Sequence, residues 1–158
     1  MNMPMTINAL LEENGLDLTR VGFARHPYRD RNVRYLYEGH YMDLSMSLQN
    51  EGKLDKYDYV LSFLGFSDEK CLFLCGYKIQ GCERDAKKYL KEYPVQEHIT
   101  DRSVYYQLER LPFLEKYNEK LLVRWGAGAR AWLQKGTNSK AIEEMYDAPL
   151  EARTYFTL

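Results

Sequence analysis

The chain has 158 residues, 45% of them hydrophobic and 28% charged, the size and composition of one globular domain that needs neither disulfide nor metal to hold a core. Its net charge of −1 excludes a global field that would draw it onto nucleic acid, so any such binding falls to a local patch. Three cysteines leave at least one unpaired, no run approaches ~18 apolar residues, and residues 1–14 hold Glu12 and Glu13 where a signal peptide is apolar. The expected setting is therefore the reducing cytoplasm, with no membrane partner.

Thr6 to Asn14 reads as a short helix, capped by Thr6 and stopped by Gly15. A strand follows over Thr19 to Arg25, with Val21 and Phe23 on one side, until Pro27 breaks it. Here lies the one basic cluster: Arg20, Arg25, His26, Arg29, Arg31 and Arg34, interleaved with Tyr28 and Tyr35 and holding a single acid, Asp30. Such a patch suits a phosphate backbone; the alternative is a solvated loop whose arginines cap neighbouring elements. His26 beside Asp30 is an acid/base candidate by residue type alone.

Tyr37, Tyr41, Leu44 and Leu48 fall on one face of a helix ending before Gly52. Tyr57 to Phe66 and Cys71 to Ile79 form a hairpin. Pairing Phe66 with Cys71 puts Val60, Leu64, Phe73 and Tyr77 on one face and Tyr59, Leu61, Phe63, Leu72 and Leu74 on the other. A hairpin apolar on both faces is central and covered on each side. Cys71 and Cys75 lie four apart on this strand, roughly 13 Å, too far to share a zinc. Glu83 to Tyr93 reads as a charged insertion or short helix ended by Pro94, and Tyr105 to Leu111 as a further strand.

Leu121 to Trp125 and Ala131 to Lys135 read as a second hairpin. A three-residue turn at Gly126 to Gly128 pairs Trp125 with Ala129 and sorts the faces best. Arg124 then lies opposite Arg130, with Trp132 and Gln134 on the same face. Two arginines in register repel unless an anion lies between them, and two guanidinium forks with an indole would hold a phosphate and a stacked base. The alternative is that each arginine pairs with an acid and Trp132 packs under the tail. Gly126 to Ala131 also matches G-x-G-x-x-A in form, but no long helix follows it, so a dinucleotide site is not expected. The tail from Gly136 is weakly patterned. No composition shift marks a second domain, so residues 1–158 are expected to form one α+β domain. Its sheet should be mostly antiparallel and barrel-like, built of β-hairpins, with two or three flanking helices.

The order of these features resembles the region ahead of the nuclease in bacterial restriction-type proteins of the GIY-YIG kind. The likeness runs over residues 6 to 135. It rests on Gly15-Leu16-Asp17, the strand ending Arg25-His26, Tyr35 to Gln49, Phe73 to Tyr77, Tyr106 to Arg110, Leu121 to Gly126, and Trp132-Leu133-Gln134. It implies an accessory, target-reading or regulatory role on DNA beside a nuclease domain or subunit, with modified bases as one object of such reading. No GIY or YIG tripeptide occurs, so the nuclease activity itself is not carried over. No catalytic residue, metal site or cofactor is expected. The reading is a non-catalytic nucleic-acid-binding module linked to restriction or defence, with DNA as partner. Arg124, Arg130, Trp132 and Gln134 would hold a nucleotide, and Arg25, His26, Arg29, Arg31 and Arg34 the backbone. Two other classes fit the same sequence: a protein-interaction or regulatory domain that docks a partner on its tyrosines, and a small-molecule domain with a nucleotide pocket.

Overall fold

A computed structural model describes residues 6–66, 70–95, 99–125, 133–135 and 142–147. The first helix, α1 (Ile7–Glu13), begins as expected: the Thr6 side chain accepts the Ala9 N–H at 3.1 Å, satisfying a donor the first turn leaves without a partner. It ends where Gly15 takes φ 80°. A 3₁₀ turn at Leu18–Arg20 leads into β1 (Val21–Pro27).

The single helix expected over Tyr37 to Leu48 is two, α2 (Arg31–Glu38) and α3 (Met42–Ser47). Between them His40 sits at φ 63°. The Tyr41 N–H donates to the Leu36 carbonyl at 2.8 Å and the His40 N–H to that of Tyr37 at 3.2 Å, the paired bonds of a Schellman ending. Periodicity missed the break because both helices keep their apolar residues against one core: Leu36, Tyr37, Tyr41, Met42 and Leu44 share a cluster.

The sheet is completed by β2 (Leu48–Gln49), β3 (Tyr59–Gly65), β4 (Lys70–Glu83), β5 (Val104–Arg110), β6 (Leu121–Trp125), β7 (Leu133–Lys135) and β8 (Ile142–Asp147). Its order is β2-β5-β4-β3-β1-β7. One edge of the long β4 is shared, β5 running along Tyr77–Glu83 and β6 along Lys70–Leu72, while β8 pairs the far edge of β6. Among the described residues only β1 and β3 pair in parallel; the other ladders are antiparallel. The fold is α+β, with a mixed, mostly antiparallel sheet curled into a half-barrel.

The central β3–β4 hairpin forms, with a shift. Tyr59 to Ser62 pair with Lys78 to Cys75 in the expected register, but a bulge between Ser62 and Phe63 moves the turn end by one, so Gly65 rather than Phe66 faces Cys71. A one-residue slip exchanges faces. Phe73 therefore joins Leu61 and Phe63, with ring centroids of Phe63 and Phe73 5.7 Å apart. Leu72 and Leu74 turn instead towards α2 and α3 with Leu64. Both faces are covered, as expected of a central hairpin: α1, Leu111, Leu114 and Val123 close one, while α2, α3 and Tyr106 close the other.

The second expected hairpin does not form. Leu122 and Val123 of β6 pair with Leu72 and Cys71 on one edge and with Tyr146 and Met145 on the other, and a strand has only two edges. β7 pairs with β1 instead, Gln134 opposite Phe23. The weakly patterned tail hid β8, the strand that takes the place assigned to β7.

Candidate nucleic-acid interface

The basic cluster of the sequence is divided by the fold. Arg20 leaves it first, paired with Asp58 at 3.0 Å on the surface. Arg25 and His26, adjacent on β1, project to opposite faces of the sheet, as period-two geometry requires. The Arg25 guanidinium lies over Gly65, where an added Cβ would fall 2.6 Å from its Cζ, and beside the Cys71 thiol, which burial pushes up to about 11. His26 is buried, its Nε2 3.1 Å from Met46 Sδ. Burial lowers its pKa to about 4, so at neutral pH the imidazole is uncharged and gives a phosphate no cation.

Arg29, Arg31 and Arg34 remain outside and exposed. Asp30 caps α2, its Oδ1 accepting the N–H groups of Asn32 at 2.8 Å and Val33 at 3.3 Å. The one acid of the cluster is thus spent on the backbone. Arg31 and Arg34 stand three apart on one face, with Tyr35 beside them. Tyr35 is 57% exposed and stacks its ring on Tyr41, centroids 6.5 Å apart. Three arginines elsewhere have carboxylates: Arg84 with Asp55, Arg102 with Glu51, Arg110 with Asp43 and Glu115. Among the described residues, Arg29, Arg31 and Arg34 make no ion pair. Arg31 also lies in the first turn of a helix, where the dipole disfavours a cation, and no acid occupies that turn. An anion on this surface would relieve both.

The nucleotide site expected on the second hairpin is not assembled as drawn. Arg124 is the ladder partner of Lys70, and Gln134 lies on β7, across the sheet from β6. Arg130 and Trp132 lie outside the described residues.

Behind the arginine surface opens a cavity of about 310 Å³. It lies at the carboxyl end of β1, one of the two parallel strands, where ligand crevices form in parallel sheets. His26, Val33, Leu36, Leu48, Gln49 and Ser103 line it, with Asp30, Asn32 and Lys53 among its polar groups. A pocket of this size is at the small end of the ~300–1,000 Å³ range for ligand sites. Except for His26 and Asp30, sequence reasoning missed these residues. They come from segments over 70 positions apart, and no spacing rule links them.

A smaller hollow of about 120 Å³ lies between Tyr37, His40, Asp43, Cys75, Tyr77, Arg110 and Glu119. The Tyr77 hydroxyl donates to Asp43, which also takes Arg110 at 2.6 Å, while the Tyr37 hydroxyl donates to Glu119 at 2.7 Å. Burial, with Cys75 and Asp43 beside it, raises the Tyr77 pKa well above 10, so this phenol stays a donor. Its groups answer one another, tying α2, α3 and the loop before β6 to the sheet. No family model, curated protein or solved structure matches the chain.

Proposed function

We propose that the chain is a non-catalytic nucleic-acid-binding module whose α2 surface holds the phosphate backbone. One observation supports this above the rest: Arg29, Arg31 and Arg34 are exposed together without carboxylate partners among the described residues, around an exposed Tyr35. Guanidinium forks match phosphate geometry, and an exposed phenol ring offers a stacking face. A link to restriction or defence, beside a nuclease domain or subunit, belongs to the same proposal and rests on the family likeness.

The rival reading, a tyrosine surface that docks a protein, has less behind it. Tyr28, Tyr37, Tyr77, Tyr89 and Tyr106 each give their hydroxyl to a carboxylate of this chain, so these tyrosines serve the fold.

Mobility shifts at low salt on plain and base-modified duplexes test the proposal. Binding at micromolar affinity or weaker is expected. Replacing Arg29, Arg31 and Arg34 together by glutamine should abolish it without lowering the melting temperature, since the three side chains are exposed. A wild-type protein that shifts none of these duplexes would remove the reading.

A further inference from the structure

We infer that the cavity behind α2 receives a single nucleobase, with Gln49 and Ser103 meeting its hydrogen-bonding edge while the attached phosphate stays outside near the arginine surface. The inference rests on the proposed nucleic-acid reading and narrows it to a base turned out of its stack.

The case begins at Gln49. It is 4% exposed and lines the cavity. Its Nε2 donates to the Met46 carbonyl at 2.7 Å and the Ser45 carbonyl at 3.4 Å. Both partners are acceptors, so the amide can take only this orientation, and Oε1 is left as the acceptor. It receives no hydrogen bond among the described residues. On the cavity lining it is an acceptor that a donor entering the cavity would meet.

Ser103 supplies the complement. It is 2% exposed, and its Oγ accepts the Thr100 N–H at 2.9 Å. That bond uses a lone pair, so the hydroxyl proton remains for an acceptor in the cavity. An acceptor and a donor among Val33, Leu36, Leu48 and Ile99 suit a flat ring with polar edges and apolar faces.

The floor decides against a charged ligand. His26 is neutral at physiological pH because burial lowers its pKa to about 4. The Ser45 hydroxyl is turned to the Tyr93 oxygen at the wall, so neither group adds charge. Among the described lining residues, charge begins only at Asp30 and Lys53 and, beyond them, at Arg29 and Arg31. A neutral interior behind a basic exterior is the polarity of a nucleotide: base inward, phosphate outward. The volume of about 310 Å³ suits one such unit, and extrusion of a base is how proteins reach one otherwise hidden in a stack.

The same base could come from a free nucleotide or from a strand, so the experiment has two arms. The side-chain amide of Gln49 is followed by ¹⁵N–¹H NMR as each of the four deoxynucleoside 5′-monophosphates is added, and separately a single-stranded DNA 12-mer. A saturable shift of the Gln49 amide is expected in both arms, weakened at least tenfold in Val33→Trp; in Gln49→Met, which lacks that amide, the shift of the Ser103 backbone N–H is followed instead and should be weakened equally. Val33→Trp fills the cavity mouth without touching a buried hydrogen bond, and it decides the matter should Gln49→Met fail to fold. A Gln49 amide that no monophosphate and no DNA moves overturns the inference. If DNA then still binds through the arginines, the nucleic-acid reading survives alone. Saturable binding of a monophosphate with none of DNA keeps the pocket and removes the strand.

Discussion

His26 shows how burial sets the behaviour of one residue. Its pKa is lowered from the usual 6.5 to about 4 by desolvation, so as pH falls the unfolded chain takes up the proton first. The contribution of His26 to stability is therefore intact above pH 6.5 and is lost on acidification between 6.5 and about 4. The whole interval corresponds to about 3 kcal/mol. Urea unfolding between pH 7 and 5.5, above most carboxylate titration, should show a falling free energy in the wild type and a flatter line in His26→Gln. An equally steep line in the variant would assign the effect elsewhere. The cysteines give a second residue-scale test. Cys71 and Cys75 are buried, and desolvation pushes both thiols up to about 11, while Cys82 is exposed. The thiolate is the reactive form. An aromatic disulfide reagent at pH 8 should thus titrate one thiol quickly in the native protein and three in guanidinium.

At the scale of elements, the break between α2 and α3 rests on His40 at φ 63°. Glycine is usual at this position of a Schellman ending, and a residue with a Cβ pays there in strain, about 1 kcal/mol or more. His40→Gly should raise stability by about 0.5 kcal/mol, part of the relief being offset by the freer unfolded chain, and His40→Val should lower it by more than 1 kcal/mol. Matching urea midpoints for the two variants would refute this account of the turn. The same turn marks the limit of the sequence. Apolar spacing located α1, β1, the β3–β4 hairpin and β5, because each of them buries a regular face. It could not place the His40 break, the bulge at Ser62 or the partners of β6, because none of these alters which residues are apolar. The arginines of α2 were legible as a cluster, but their separation from Arg25 and His26 was not. That depends on alternation along β1, whose end is fixed only by the pairing of Pro27 with Gly65. Gln49 and Ser103 carried no signal, since they meet in the cavity only through the pairing of β2 with β5.

Across the whole molecule, charge is close to balanced, at −1, and ion pairs such as Arg20–Asp58, Arg84–Asp55 and Arg110–Asp43 are spread over the surface. Long-range attraction to a polyanion is therefore absent, and binding should come from the few contacts the α2 surface makes. This fixes the expected salt dependence. Each phosphate neutralised on a single strand contributes about −0.7 to the slope of log K against log salt, and on a duplex about −0.9. Three arginines thus predict a slope near −2 for single-stranded DNA and near −3 for duplex, far below that of a protein with an extended basic groove. Removing any one of Arg29, Arg31 or Arg34 should make the slope shallower by about 0.7 to 0.9, whereas replacing Arg20 or Arg84, whose charges are met by Asp58 and Asp55, should leave it unchanged. Fluorescence anisotropy with a labelled 12-mer between 25 and 200 mM salt measures all of these. A slope unchanged by the three α2 substitutions but reduced by Arg20→Gln would place the backbone on another face, and the function assigned to α2 would have to be given up.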